Sequence, residues 1–211
     1  MVITQIIPLE HSKGKVRVSF DCADDLILYR GELRGLGLKE QMQVNNELYE
    51  KMYHEIVGKR AVKRAMHLLE KMDRTQEQLR KKLSECGYPQ ELVEEAIAYV
   101  KSYRYIDDER YAKTYVRLNQ EKKSAGRMKM DLLAKGVAQE VIARALAEEN
   151  ETAPETLIQR LLEKKKFDPA AATPKETAKM YQFLLRRGFS GNEIMHVLKD
   201  NLDDSADVCH F

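Results

Sequence analysis

The chain has 211 residues, of which 43% are hydrophobic and 33% charged, and its formal net charge at pH 7 is +2. This balance suits a soluble helical protein, and no apolar run approaches the roughly 20 residues of a membrane span. The N-terminus lacks a basic segment followed by an apolar core, so we expect a cytoplasmic protein without a signal peptide. The three cysteines are far apart and predict neither a disulfide framework nor a zinc site.

The first part of the chain favours β-structure. Residues 2–9 and 15–20 are rich in β-branched side chains, and a third short apolar run occupies residues 26–29. Two or three such strands are too small to be stable unless they pack on a helix. We therefore predict a β-rich N-terminal extension over residues 1–45.

From about Asn46 the apolar residues follow a helical period. Leu48, Met52 and Ile56 fall on one helix face, and Gly58 is expected to interrupt this linker helix. The linker helix and a first repeat are assigned to residues 46–105.

An internal repeat follows, marked by three glycines that end short basic helices. Gly87, Gly136 and Gly188 can be aligned, and apolar residues then coincide on both sides of the glycine. The aligned sets are Leu79, Met128 and Met180; Leu83, Leu132 and Leu184; Tyr88, Val137 and Phe189; Val93, Ile142 and Ile194; and Ile97, Leu146 and Leu198. Repeats of this size bury too little surface alone, so neighbours should stack.

The predicted fold is therefore mainly α, with three tandem three-helix repeats in an elongated array after the β-rich extension. The first helices of the repeats are expected near 59–72, 107–122 and 153–166. The second repeat is assigned to residues 106–150 and the third to residues 151–200, with a flexible tail over 201–211. We expect a monomer.

The segment around residue 107 is the most informative. Asp107 and Asp108 are suited to open a helix, because acidic side chains favour the positive end of the helix dipole. Behind them Tyr111, Ala112, Tyr115 and Val116 form an apolar stripe on one helix face. A second amphipathic helix carries Met128, Leu132 and Leu133 and stops at Lys135-Gly136.

Excess positive charge is confined to the middle of the chain. Residues 59–135 hold 19 Lys and Arg against 12 Asp and Glu, a balance of +7, whereas the flanking segments are negative. Such a set could neutralise phosphates or face an acidic partner, but it could also be a series of solvated helix faces. The predicted partner- or DNA-binding residues are Arg80, Lys81, Arg110, Lys113, Arg117, Lys122, Lys123, Arg127 and Lys129.

Aromatic and catalytic motifs give weaker indications. Tyr103 and Tyr105 could stack on nucleobases, whereas Tyr111 and Tyr115 are expected to pack in a core. His54 begins a zincin-like motif, but Gly58 stands where the second histidine ligand would be. We predict no enzyme activity, no catalytic residue, no cofactor and no metal site.

The central segment resembles a known family. The run Ile106-Asp107-Asp108-Glu109-Arg110-Tyr111-Ala112 with Tyr115-Val116, and the later Leu132-Leu133-Ala134-Lys135-Gly136, resemble the signature of RecX proteins. The resemblance covers about residues 59–200, and the family is described as tandem three-helix units. One departure is Lys123-Ser124-Ala125-Gly126, where the family often has Lys-Gly-Pro.

The resemblance implies a function that residue chemistry alone does not reach. Proteins of this family bind RecA, chiefly its filament on single-stranded DNA, and modulate recombination and repair, usually by inhibition and without a catalytic centre. The matched positions are expected to be mostly structural: Ile106, Asp107, Asp108, Tyr111, Ala112, Tyr115, Val116, Leu132 and Gly136. Direct DNA contact is a further expectation of this resemblance.

Two other functions remain open from the residues. One is a nucleic-acid-binding protein without sequence preference and without a recombinase partner, which would bind DNA alone with a steep salt dependence. The other is a scaffold that binds a protein through an apolar concave face, which would show an exposed hydrophobic patch without a basic stripe.

Overall fold

The computed structural model describes residues 1–10, 12, 14–150 and 152–206, and for 200–206 it describes the backbone alone. The chain divides into two compact units, Met1–Asp107 and Asp108–Phe211. The first unit contains the N-terminal extension and one helical repeat, and the second unit contains two repeats.

The N-terminal extension is a three-stranded antiparallel sheet, as predicted. Its strands β1 (Ile3–Pro8), β2 (Lys15–Phe20) and β3 (Leu26–Tyr29) are neighbours in sequence order. Alternation along β2 buries Val16 and Val18 on one face and leaves Arg17 exposed on the other. The buried face needs a cover, because a single small sheet cannot exclude water from both sides.

Helices provide that cover. After the short α1 (Arg30–Gly35), α2 (Asn46–Glu50) begins where the Asn45 side chain accepts a hydrogen bond from the Leu48 amide. A π-helical segment (Lys51–Gly58) continues without a break into α3 (Lys59–Lys71). Met52, Tyr53 and Val57 from this segment join the core of the sheet. The packed extension therefore runs beyond the predicted boundary at residue 45.

The expected interruption at Gly58 was wrong. Gly58 has helical dihedral angles (φ −62°, ψ −50°), so the helix passes through it. A Cβ at this position would lie 3.3 Å from Leu92 Cδ2. The glycine therefore lies at a close helix-helix contact, and the helix does not stop there.

Three three-helix repeats follow, which confirms the prediction. Their helices are α3, α4 (Gln76–Ser84) and α5 (Gln90–Ser102); α6 (Asp108–Asn119), α7 (Ala125–Ala134) and α8 (Gln139–Glu149); and α9 (Pro154–Lys164), α10 (Pro174–Arg186) and α11 (Gly191–Ala206). Helix α11 continues past the predicted limit at residue 200. The rest of the predicted tail, residues 207–211, lies outside the described residues.

Each repeat has its own apolar core, built from the residues that the sequence alignment paired. Leu83, Leu132 and Leu184 are all fully buried, and so are Val93, Ile142 and Ile194. The middle helix of each repeat also starts in the same way. The hydroxyls of Thr75, Ser124 and Thr173 accept hydrogen bonds from backbone amides of the first turn, which satisfies groups that a helix start leaves unpaired.

The aligned glycines end the middle helices with left-handed backbone. Gly87, Gly136 and Gly188 have φ of +81°, +80° and +89°, a region that favours glycine. Two of them are also close-approach points. A Cβ on Gly87 would overlap the Ile27 side chain of β3, and a Cβ on Gly188 would lie 2.6 Å from Ser124 Oγ and 2.5 Å from Arg127 Cβ.

The Ser124 hydroxyl, in the segment that departs from the family pattern, joins two repeats. It donates to the Gly188 carbonyl at 2.6 Å, and the Ser124 amide donates to the Arg187 carbonyl at 3.0 Å. In the other direction, the Arg187 guanidinium donates to the Lys122 carbonyl at 2.7 Å. The start of α7 is thus bound to the turn that ends α10, and the second repeat is joined to the third.

In the first unit, Arg60 joins the repeat to the sheet. Its guanidinium donates to the Ile27 carbonyl at 2.9 Å and to both Glu32 carboxylate oxygens at 2.8 and 2.7 Å. It also lies over the Tyr29 ring at 4.7 Å. These contacts tie α3 to β3 and α1.

Replacing Gly188 by alanine should destabilise the chain more than the same change at Gly37. Both residues have positive φ, so each Gly→Ala change costs about 1–2 kcal/mol of backbone strain. Only Gly188 also lacks room for a Cβ, which adds about 1–3 kcal/mol of overpacking, whereas Gly37 has open space. Thermal unfolding followed by circular dichroism measures the difference. Equal shifts for the two variants would contradict the close contact at Gly188.

Replacing Arg60 by alanine should loosen the N-terminal sheet. The variant leaves a carboxylate that is 27% exposed and a backbone carbonyl without their donor, at a cost of about 1–3 kcal/mol. Hydrogen exchange of the β3 amides should accelerate. The control is Lys59→Ala, because Lys59 is exposed and, among the described residues, has no acidic partner. In the Lys59→Ala variant, the β3 amides should exchange at the rates of the wild type.

Candidate functional site

The family-like segment is built into two apolar cores. Ala112 and Val116 are fully buried against Met128 and Leu132 of α7, and Tyr111 and Tyr115 pack half-buried beside them. Both tyrosines therefore pack against this core and remain partly exposed. Ile106 belongs to the core of the first repeat. Of the matched positions, Ile106, Ala112, Val116 and Leu132 are buried and support the repeats, whereas Asp107 and Gly136 are exposed.

A charged cluster links α6 to α7 around Asp131. Tyr115 Oη and Lys123 Nζ each donate to Asp131 Oδ2 at 2.8 Å, and Arg127 Nε lies 3.1 Å from Oδ1. The Lys123 ammonium also lies over the Tyr115 ring, 5.3 Å from its centroid. Burial works against ionisation of Asp131, but the hydrogen bonds from Lys123 and Tyr115 outweigh it, so its pKa is lowered.

Ion pairs also join α6 to α8. Lys113 Nζ lies 2.7 Å from a Glu148 oxygen and 3.0 Å from a Glu109 oxygen, and its hydrogen bonds to these carboxylates raise its pKa. Arg117 donates two hydrogen bonds to Glu149, at 3.0 and 2.8 Å. Two members of the predicted basic surface therefore hold the first and third helices of this repeat together.

Arg80 has a similar role in the first unit. It donates to both carboxylate oxygens of Glu94 on α5, at 2.6 and 3.0 Å, and it also pairs with Glu77. The hydrogen bonds to Glu94 raise the pKa of Arg80 although burial opposes this. The neighbouring Lys81 is exposed, and no carboxylate of the described residues lies within ion-pair distance of it.

The predicted basic set thus separates into two groups. Arg80, Lys113, Arg117, Lys123 and Arg127 are paired with carboxylates of the fold. Lys81, Lys122 and Lys129 are exposed, and within the described part of the chain they have no acidic partner; Arg110 is exposed as well. Lys81 lies in the first unit and the other three in the second.

A row of exposed aromatic rings was only partly anticipated. The sequence points to Tyr103 and Tyr105, and the structure adds Tyr99, whose ring centroid lies 4.9 Å from that of Tyr103. The spacing of four residues between Tyr99 and Tyr103 could have revealed this, because such residues are neighbours on a helix. Arg60 and the Ser124–Gly188 contact had no comparable signal, since they join distant segments.

Neither a metal centre nor a membrane span emerges from the described residues. No cluster of three or more His, Cys, Asp or Glu side chains among them is arranged to hold a metal ion. Within those same ranges, no helix combines the length and apolar character needed to cross a bilayer.

Three models of one protein family match the three repeats. Residues 61–99, 107–146 and 154–198 match models of the first, second and third three-helix domains of RecX. The chain belongs to the RecX family. Each matched range falls within one of the three repeats. RecX proteins are regulatory proteins, and this chain is a member of that regulatory family.

Similar RecX proteins extend over nearly the whole chain. The regulatory protein RecX of Caldanaerobacter subterraneus subsp. tengcongensis is 31% identical over 200 residues, covering 94% of this chain and 98% of the relative. The regulatory protein RecX of Clostridium acetobutylicum is 29% identical over 216 residues, covering 94% of this chain and 95% of the relative. The match therefore includes the N-terminal extension. RecX of Vibrio vulnificus is 36% identical over 138 residues, covering 64% of this chain and 89% of the relative.

Two solved RecX structures share the fold. One crystal structure of regulatory protein RecX aligns with a TM-score of 0.59 and 23% identity, covering 95% of this chain and all of the other. RecX from Lactobacillus salivarius aligns with a TM-score of 0.53 and 23% identity, covering 70% of this chain and 97% of the other.

Asp131 makes a pH-dependent contribution to the stability of this RecX protein. Because folding lowers its pKa below the ordinary 3.8, its stabilisation is complete well above that value and is lost as the pH falls through the folded-state pKa. Asp131→Asn should therefore reduce stability by about 1–3 kcal/mol near neutral pH.

Thermal unfolding of the wild type and the Asn variant at pH 7 and at about pH 2 measures this effect. The difference in Tm should be large at pH 7 and nearly absent in acid. A difference that is constant with pH would show that the ionised form of Asp131 is not what stabilises the cluster.

Proposed function

We propose that this chain regulates RecA by binding the RecA filament on single-stranded DNA, and that it acts as an inhibitor. The observation that carries the proposal is membership of the RecX family over all three repeats. A non-catalytic role fits this function, since a regulator needs a surface rather than an active site. Recombination and repair are the processes it would affect.

The exposed lysines that have no carboxylate partner among the described residues are the best candidates for contact. Lys122 and Lys129 are exposed at the two sides of the α7 start, in the second repeat, and Lys81 is exposed in α4 of the first. An unpaired ammonium can meet a phosphate or a carboxylate of a partner without losing an existing ion pair. Arg110, which is exposed in α6 of the second unit, belongs to the same sequence-predicted set.

The paired cations are weaker candidates, although they belong to the sequence-predicted set. Reversing the charge of Lys113 or Lys123 would place two or three carboxylates together and disturb the helix packing. A loss of binding in such a variant would not distinguish contact from folding. Arg117 and Arg127 are intermediate, because 64% and 51% of their side chains remain exposed beside their carboxylate partners.

The test is RecA's single-strand-dependent ATP hydrolysis, titrated with the wild type and with the double variant Lys122→Glu/Lys129→Glu. The wild type should inhibit at concentrations well below those that coat bare DNA. The variant should need at least about tenfold more protein, because like charges at a complementary surface oppose binding. Its circular dichroism spectrum should not change, since neither side chain pairs with an acidic residue among those described.

The matched control is Lys164→Glu/Lys175→Glu. It changes the net charge equally and also alters exposed lysines, but in the third repeat. We expect it to inhibit like the wild type. Equal inhibition by all three proteins at physiological salt would contradict the proposed surface. Inhibition only when the DNA is saturated would instead favour general competition for nucleic acid.

A further inference from the structure

We propose that the solvent-facing side of α7 docks an amphipathic helix of a partner protein, one with apolar side chains along one face and carboxylates at the margins of that face. The inference rests on the proposed function in one respect, that a regulator acts by contact with another protein. It goes further because it names the chemistry of the partner segment. It is also carried chiefly by apolar residues, which lie outside the basic set.

The first observation is an apolar strip on the exposed side of α7. Met130 and Leu133 are 62% and 38% exposed, and their spacing of three residues makes them neighbours on a helix surface. Gly126 and Ala134, each four residues from Met130, are exposed on the same side. The opposite side of the helix is buried in the core of the second repeat. Helix α7 is therefore apolar on two sides, whereas a helix that covers one core needs a single apolar face.

The second observation is that the fold of a repeat does not require this strip. The glycine alignment places other residues at the positions of Gly126, Met130, Leu133 and Ala134: Glu77, Lys81, Ser84 and Glu85 in the first repeat, and Ala178, Gln182, Leu185 and Arg186 in the third. The first repeat is thus polar at all four positions. In the third repeat, Leu185 packs partly buried against the core of its own repeat. The exposed apolar pair is therefore specific to the second repeat.

The third observation is Gly126, which lies in the first turn of α7. Glycine in a helix costs stability relative to alanine. A Cβ here would lie 3.8 Å from Ser124 Oγ, an ordinary van der Waals distance, so among the described residues no contact requires the glycine. Its φ is not positive either, unlike that of Gly188. Gly126 therefore leaves an outward gap at which the backbone of another helix can approach closely.

The fourth observation is that basic side chains flank the strip. Lys129 lies one helical turn from Leu133, on one margin. On the other margin, Arg127 lies one turn from Met130. Lys129 has no acidic partner among the described residues, and Arg127 stays 51% exposed beside Asp131, which is itself only 18% exposed. The charge that complements both margins is negative.

A partner helix with an apolar face and acidic margins satisfies all four observations. Its apolar side chains would cover Met130 and Leu133, as in other complexes in which a helix lies on a hydrophobic groove. Its carboxylates would meet Lys129 and Arg127, and its backbone would approach at Gly126. A second copy of this chain fits less well, because pairing two α7 helices would bring like-charged margins together. Nucleic acid also fits less well, because Met130 and Leu133 have no aromatic ring to stack on bases.

The experiment measures binding of the full chain, without RecA, to a fluorescein-labelled synthetic helix by anisotropy. This peptide carries leucines along one face and glutamates at its margins. The test variant is Met130→Gln/Leu133→Ser, which installs the residues that the third and first repeats have at these positions. Loss of the apolar contact should weaken binding by about tenfold or more. The matched control is Met72→Gln/Met195→Gln, which alters two other exposed methionines and should bind like the wild type.

A second variant and a second peptide separate docking from folding and from non-specific adhesion. Gly126→Ala should leave the Tm unchanged or raise it, because alanine is the better helix former. Its methyl group should nevertheless weaken peptide binding by about fivefold or more, because it fills the outward gap. A purely structural role of Gly126 would not move stability and binding in opposite directions. A peptide with lysines in place of the glutamates should bind the wild type at least about tenfold more weakly.

Three results would overturn the docking face. The first is equal affinity of the wild type for the glutamate and lysine peptides, and the second is equal affinity of the wild type and the Met130→Gln/Leu133→Ser variant for the glutamate peptide. The third is self-association of the wild type that this variant abolishes, which would identify a second copy as the occupant.

RecA inhibition measured in parallel keeps this inference separate from the proposed function. If the wild type binds the glutamate peptide but does not inhibit RecA, the proposed function fails and the docking face stands. If the wild type inhibits RecA but does not bind the peptide, the docking face fails and the proposed function stands.

Discussion

The structure depends on one backbone constraint, the left-handed glycine that ends the middle helix of each repeat. At Gly87 and Gly188 the absence of a side chain lets a neighbouring element approach to a distance that a Cβ would prevent. The glycine therefore does two things at once: it reverses the chain into the third helix, and it provides the surface on which the preceding element packs. A helix stop alone would need only the first of these.

Gly87 and Gly188 hold equivalent positions in their repeats, but different elements pack against them. In the third repeat, Gly188 packs against Ser124 and Arg127, which belong to the helix start of the preceding repeat. In the first repeat, Gly87 packs against Ile27 of the sheet. The N-terminal extension thus occupies, at the first repeat, the place that a repeat occupies at the third. Terminal caps of this kind are expected in repeat proteins, because an end repeat has no neighbour to cover it.

Several of the basic side chains in the middle of the chain form ion pairs within the fold, which composition does not reveal. The middle of the chain has a balance of +7, but Arg80, Lys113 and Arg117 each connect two helices of one repeat through carboxylates. Arg60 likewise connects the sheet to a helix. The excess charge is consequently carried by side chains that have no acidic partner among the described residues, such as Lys81, Lys122 and Lys129. A count of basic residues in the sequence does not show which of them are paired with carboxylates.

Sequence by itself determined the repeat, its three helices and the core positions within them. Periodicity and the aligned glycines specify which residues must be buried, and these depend on neighbours only a few positions apart. It also identified the family, through the segment around Asp107. Only the tertiary structure decided which cations are paired, that Gly58 is a packing contact, and that three tyrosines share one exposed surface. The pairing of Arg80 with Glu94 and the contact at Gly58 depend on segments that are distant along the chain, and the position of Tyr105 beside Tyr103 depends on the turn at Arg104, so residue spacing does not reveal them.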